Sequence, residues 1–113
     1  MQITSRAVGG VTVLDLKGRL ILGEGTQALK DQLDELVKAG PTHIVLNLQE
    51  VTYVDSCGLG ELVRSLATVG RKGGVLKLVN LTSKITDLLV ITKLLTVFDS
   101  YDSEAAALAA FKK

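Results

Sequence analysis

Aromatic residues make up only 4% of this 113-residue chain and tryptophan is absent, so its core must be aliphatic and an interface built on aromatic anchors is not expected. Cys57 is the single cysteine, which excludes a disulfide within the chain. With one histidine besides, nothing has the spacing of a metal site, and no metal or other cofactor is expected. Charge of one sign is also lacking. A formal net charge of +1 without a long Lys/Arg run gives no field for phosphate backbones, so no nucleic acid is expected as a partner. Apolar stretches such as residues 44–48 and 88–91 are far too short to span a membrane. Residues 1–20 lack the cationic start and apolar block of a signal peptide. A cytoplasmic chain without membrane insertion is the expectation.

What is present suits one domain over residues 1–113, with 47% hydrophobic and 22% charged residues. Residues 3–8 and 11–16 read as two strands joined by Gly9-Gly10 in a tight antiparallel hairpin. Residues 18–25, rich in glycine, read as a turning connection that could hold a short strand. From Thr26 the spacing of Leu29, Leu33, Leu36 and Val37 predicts an amphipathic helix stopped by Gly40-Pro41. Residues 43–48 form a central strand covered on at least one face, extended by residues 51–54.

After Asp55-Ser56, the residues Leu59, Leu62, Val63 and Leu66 share one face of a second helix, which ends before Arg71. A strand at 75–81, a helix at 83–95, a strand at 97–101 and an alanine-rich helix at 103–111 capped by Ser103 complete the chain. The alternation predicts an α/β fold: a mixed sheet opened by an antiparallel hairpin, with parallel right-handed crossovers through helices. In such folds the turns from strand to helix gather functional groups.

One such turn, Asn47-Leu48-Gln49-Glu50-Val51-Thr52-Tyr53-Val54-Asp55-Ser56-Cys57-Gly58-Leu59-Gly60, resembles the hallmark of STAS domains, and the order of elements resembles that family along essentially the whole chain. The resemblance is to anti-sigma factor antagonists and implies a regulatory protein rather than an enzyme. It implies a module in a bacterial partner-switching circuit that binds an anti-sigma factor, a serine kinase of GHKL type, and so frees a sigma factor for transcription. The residues assigned to the partner are Gly23, Glu24, Thr26, Asp55, Ser56, Cys57, Gly58, Leu59 and Leu62. A monomer or weak homodimer is expected. The alternative is a STAS accessory subunit of a phospholipid ABC transporter.

The residues support a docking surface independently. A helix N-terminus offers unpaired N–H groups and partial positive charge, which tolerate a phosphate, and Gly58 and Gly60 clear side chains from beside the Ser56 hydroxyl. In similar proteins the kinase phosphorylates the second residue of a Ser-Ser/Thr pair, and the added charge of about −1.5 to −2 breaks the interface. Here that acceptor position holds Cys57. Three readings follow: Ser56 takes over as phosphorylation site, the protein stays permanently competent to bind, or Cys57 is a redox switch. The second is preferred. The family's acidic residue soon after the glycine matching Gly18 is replaced by Ile21, with Glu24 a substitute.

Simpler roles stand beside these. Cys57 is expected to be a small buried residue beneath the helix start, and Ser56 reads equally as a cap or turn residue. Asp55 reads as a cap without a catalytic partner, and His43 as a strand-edge residue rather than a base. No phosphate-loop spacing occurs among the glycines at 18–25. Arg64, Arg71 and Lys72 read as a solvated helix face, and residues 88–91 with Leu94 and Leu95 mostly as core.

Overall fold

The hairpin forms as its glycines predict. In the computed structural model, which describes residues 1–39 and 42–111, β1 (Gln2–Val8) pairs antiparallel with β2 (Val11–Leu20). Val8 faces Val11 in register, and Gly9 and Gly10 make the turn with φ of 55° and 83°, angles that favour glycine. The chain continues through α1 (Glu24–Val37), β3 (His43–Val54), α2 (Ser56–Arg71), β4 (Val75–Val79), α3 (Ser83–Ile91), β5 (Asp99–Tyr101) and α4 (Glu104–Phe111). The five strands lie in sequence order, and every pair after the first is parallel. The Gly40-Pro41 stop expected for α1 lies outside the described residues.

Alternation along the strands separates two apolar layers. Leu14, Leu16, Ile44, Leu46, Leu48, Leu76 and Leu78 meet Leu29 and Leu33 of α1, Leu59 and Leu62 of α2, and Ile85 and Leu89 of α3. On the other face, Val11, Val13, Val45 and Val79 meet Ala107 of α4, with Leu108 and Phe111 beside it. The central strand is therefore covered on both faces near its start. Lys77, on the α4 side, is buried with its ammonium 3.1 Å from Asp99 and about 5 Å from the rings of Tyr101 and Phe111, which it helps hold down.

Element ends differ from the sequence expectation where local irregularity keeps a strand or stops a helix. Residues 18–20 belong to β2 rather than to a turn, because Gly18 at φ 115° sits between register shifts and lets the strand bend while still pairing with β3. That pairing also keeps β3 continuous to Val54. The third helix ends at Ile91, not near Leu95: the Thr92 hydroxyl donates to the Leu88 carbonyl at 2.7 Å, and Lys93 takes a left-handed φ of 61°. Val97 and Phe98 precede the last strand instead of belonging to it.

A polar chain crosses the α4 side of the sheet. Arg6 donates to Asp15 at 2.6 and 3.0 Å and to Glu104 of α4 at 2.6 Å. Asn47 donates to Asp15 at 2.8 Å, and Asn80 donates to the side-chain Oδ1 of Asn47 at 3.0 Å. The Arg6 hydrogen bonds hold the Asp15 carboxyl below the usual carboxylate range, against the upward push of partial burial and with help from Asn47. The folded chain thus takes up this proton less readily than the unfolded one. The stabilisation is complete above about pH 4, where an unfolded Asp is ionised, and is lost as pH falls through the depressed native value. Asp15→Asn should lower the urea midpoint at pH 7 and leave a shallower decline than the parent between about pH 4 and pH 2. Asp34 and Asp55, depressed in the same sense, maintain the remaining slope. Parallel declines in the two chains would show that the Arg6–Asp15 pair contributes nothing.

Candidate functional site

The parallel strands β2 and β3 end side by side at Leu20 and Val54, and each hands the chain to a helix at the same edge of the sheet. Asp55 is the N-cap of α2, with extended backbone. Its Oδ1 accepts from the Gly58 N–H at 2.7 Å and its Oδ2 from the Leu22 N–H at 3.0 Å. These backbone bonds, Leu22 first and Gly58 next, hold its carboxyl below the usual range, so it is anionic at neutral pH. One side chain thereby ties the β2–α1 connection to the start of α2.

The helix phase sorts the expected partner residues into two groups. Ser56 and Cys57, the first residues of α2, are exposed, as are Gly23 and Glu24 at the start of α1. Thr26 is half-buried and donates its hydroxyl to the Gly23 carbonyl at 3.2 Å. Gly58, Leu59 and Leu62 point inward and are buried, so they support the surface from beneath and do not face a partner. Gly58 in particular clears space for the chain's own backbone: a Cβ there would lie 1.9 Å from the Leu20 carbonyl oxygen. Gly60 is the glycine that faces out, with nothing within 4 Å of its Cβ position. It sits four residues after Ser56 and so on the same helix face.

Cys57 is exposed rather than packed beneath the helix, because Gly58 and Leu59 take the inward positions. Arg71 and Lys72 are exposed as expected of a solvated face, whereas Arg64 is only partly exposed. It pairs with buried Glu61 at 2.8 Å and with Asp34 of α1 at 3.3 Å, linking the two helices that flank the site. His43 stacks on Phe111 with ring centroids 4.9 Å apart, at the opposite end of β3 from Asp55. Of the residues around 88–91, Leu89 is core, while Val90 and Ile91 are exposed.

Two neighbours of the site were not singled out by the sequence. Leu22 is 72% exposed beside Asp55, and Tyr53 is 55% exposed two residues before it. Tyr53 borders a groove of about 260 Å³ shared with Thr82, Lys84, Ile85 and Leu88. A more polar cleft of about 420 Å³ opens elsewhere, lined by Gln2, Thr4, Asp15, Lys17, Asn47 and Glu50. Among the described residues no group of three or more His, Cys, Asp or Glu could hold a metal ion, and no helix is long and apolar enough to cross a membrane.

A mixed five-stranded sheet whose strand-to-helix turns present an exposed, carboxylate-capped helix start defines a small α/β protein. Comparison with known proteins gives that architecture its family. The STAS domain model matches residues 2–107, and the chain belongs to the STAS domain family. It is 28% identical to the anti-sigma F factor antagonist of Paenibacillus polymyxa over 109 residues, covering 96% of this chain and 92% of that one. It is 37% identical to the anti-sigma-B factor antagonist of Bacillus subtilis over 71 residues, 63% of this chain and 64% of that one. A crystal structure of a Thermotoga maritima protein assigned as an anti-sigma factor antagonist superposes with a TM-score of 0.90 at 26% identity, covering 98% and 95% of the two chains.

Proposed function

We propose that this chain is an anti-sigma factor antagonist, a non-catalytic module that binds an anti-sigma factor kinase of GHKL type in the cytoplasm and so frees a sigma factor. The observation that carries the reading is the surface joined by Asp55: Leu22, Gly23 and Glu24 on one side, Ser56, Cys57 and Gly60 on the other. Relatives named as antagonists support it along nearly the full length. An open patch with a small residue at its centre lets a partner's backbone come close, and Leu22 supplies apolar area to bury.

With Ser56 exposed at the helix start, we assign phosphorylation to it in place of the permanently competent state that the sequence alone favoured. A thiol is not a substrate for a serine kinase, whereas the Ser56 hydroxyl is exposed in the first turn of a helix, where a phosphate is electrostatically tolerated. In that position it would place negative charge in the middle of the docking surface and weaken it by repulsion.

The test is co-purification of the tagged chain from its native cell, followed by intact mass. A GHKL-type kinase in the bound fraction, with a phosphate adduct on Ser56 in part of the population, is the expected result. An ATPase together with a membrane permease in its place would overturn this reading in favour of a transporter subunit.

A further inference from the structure

Asp55 uses its two oxygens on segments far apart in sequence. Oδ1 caps its own helix at Gly58, and Oδ2 accepts from Leu22, 33 residues earlier. The backbones around this bridge are already in contact, with the Asp55 N–H donating to the Leu20 carbonyl at 3.3 Å. The connection it holds is lightly tied otherwise. Leu22 and Gly23 are exposed, Gly23 has a φ of 102°, and the other local ties run from Thr26 to the Ile21 and Gly23 carbonyls, from the Gln27 N–H to the Gly23 carbonyl at 2.9 Å, and from the Met1 amino group to Glu24 at 3.8 Å, none of them to the Leu22 N–H.

We infer that Asp55 is a positioning residue that transmits the charge state of the α2 start to the β2–α1 connection, so that a phosphate on Ser56 also loosens Leu22, Gly23 and Glu24. This rests on the reading of Ser56 as the modified residue. The phosphate brings about −1.5 to −2 charge next to an anionic carboxylate, and both groups then compete for the same few N–H donors at the helix start. A single carboxylate that moves off Gly58 cannot keep its bond to Leu22. The Leu22 N–H, on an exposed connection, then turns to water, and the loop leaves its bound shape. One modification would remove both halves of the surface.

The test is residue-resolved amide exchange on four full-length chains: unmodified, phosphorylated at Ser56, Asp55→Ser, and Asp55→Ser phosphorylated at Ser56. Phosphate should speed exchange at Leu22 about tenfold or more, the scale of losing one bond to a charged acceptor, while the strand amides of Leu14 and Leu46 stay unchanged. Asp55→Ser should do the same without phosphate, because serine still caps Gly58 but is too short to reach Leu22. In that background phosphate should add nothing further at Leu22. An unchanged Leu22 in the phosphorylated parent overturns the inference, as does an equal phosphate effect with and without Asp55.

Should Asp55→Ser raise exchange at Leu14 and Leu46 as well, Asp55→Asn replaces it. That variant keeps the volume and one acceptor oxygen, and it must reproduce the Leu22 effect or the inference fails. No partner enters these measurements, so failure to find an anti-sigma factor would remove the proposed function and leave this result standing.

Discussion

Gly58→Ala should destabilise the fold by about 3 kcal/mol or more, at the upper end of what overpacking costs. The added methyl would sit 1.9 Å from the Leu20 carbonyl oxygen and 2.8 Å from its carbon, both backbone atoms of β2 that a rotamer change cannot move. To admit it, α2 must back away from the strand. That movement would break the Asp55 bridge and open the Leu59 and Leu62 packing together. Gly60→Ala is the control: its Cβ meets nothing within 4 Å, and removing an interior helical glycine should stabilise by about 0.5–1 kcal/mol. Urea denaturation of the two variants checks both signs. Equal stabilities would show that the start of α2 does not lie against β2 as described.

Gly60→Arg should have the largest effect on binding, weakening the complex with the anti-sigma factor about 30-fold or more, roughly 2 kcal/mol, while the melting temperature stays within a few degrees. Position 60 is exposed on the Ser56 face, so a long cationic side chain stands where a partner must approach and meets no part of its own chain. The two glycines thus differ in setting, Gly58 packed against β2 and Gly60 open to solvent. Isothermal titration with the purified partner measures the first effect and calorimetric melting the second. Unchanged affinity would move the docking surface away from α2.

The fold was legible where periodicity is strong. Gly9-Gly10 between alternating strands gave the hairpin, and Leu29, Leu33, Leu59 and Leu62 gave the buried faces of the first two helices. Reading was poorer where glycine continues a strand rather than ending it, as at Gly18, since a bulge and a turn ask for the same residue. The overlong third helix has a different cause. Leu94 and Leu95 keep the apolar spacing because they pack against the core after the chain has left the helix at Thr92.

At the site, the same helical spacing that identified Leu59 and Leu62 as an inward face already excluded them from a partner surface. Adding 3.6-residue phase to the motif would have left Ser56, Cys57 and Gly60 outside and placed Gly58 within. The cross-sheet chain from Arg6 through Asp15 and Asn47 to Asn80 was not read, although polar residues interrupting apolar strands at Asp15 and Asn47 were its visible sign. The reach of Asp55 to Leu22 had no local sign, because the partner atom is a backbone N–H brought there by the sheet.

The most direct test is release of a sigma factor from its complex with the anti-sigma factor, followed by fluorescence anisotropy of the labelled sigma factor as the unmodified chain is titrated in. Saturable release at about one chain per anti-sigma subunit is expected, with Gly60→Arg and the Ser56-phosphorylated chain needing a large excess. Sigma factor that stays bound at a hundredfold excess of the unmodified chain would contradict the antagonist function.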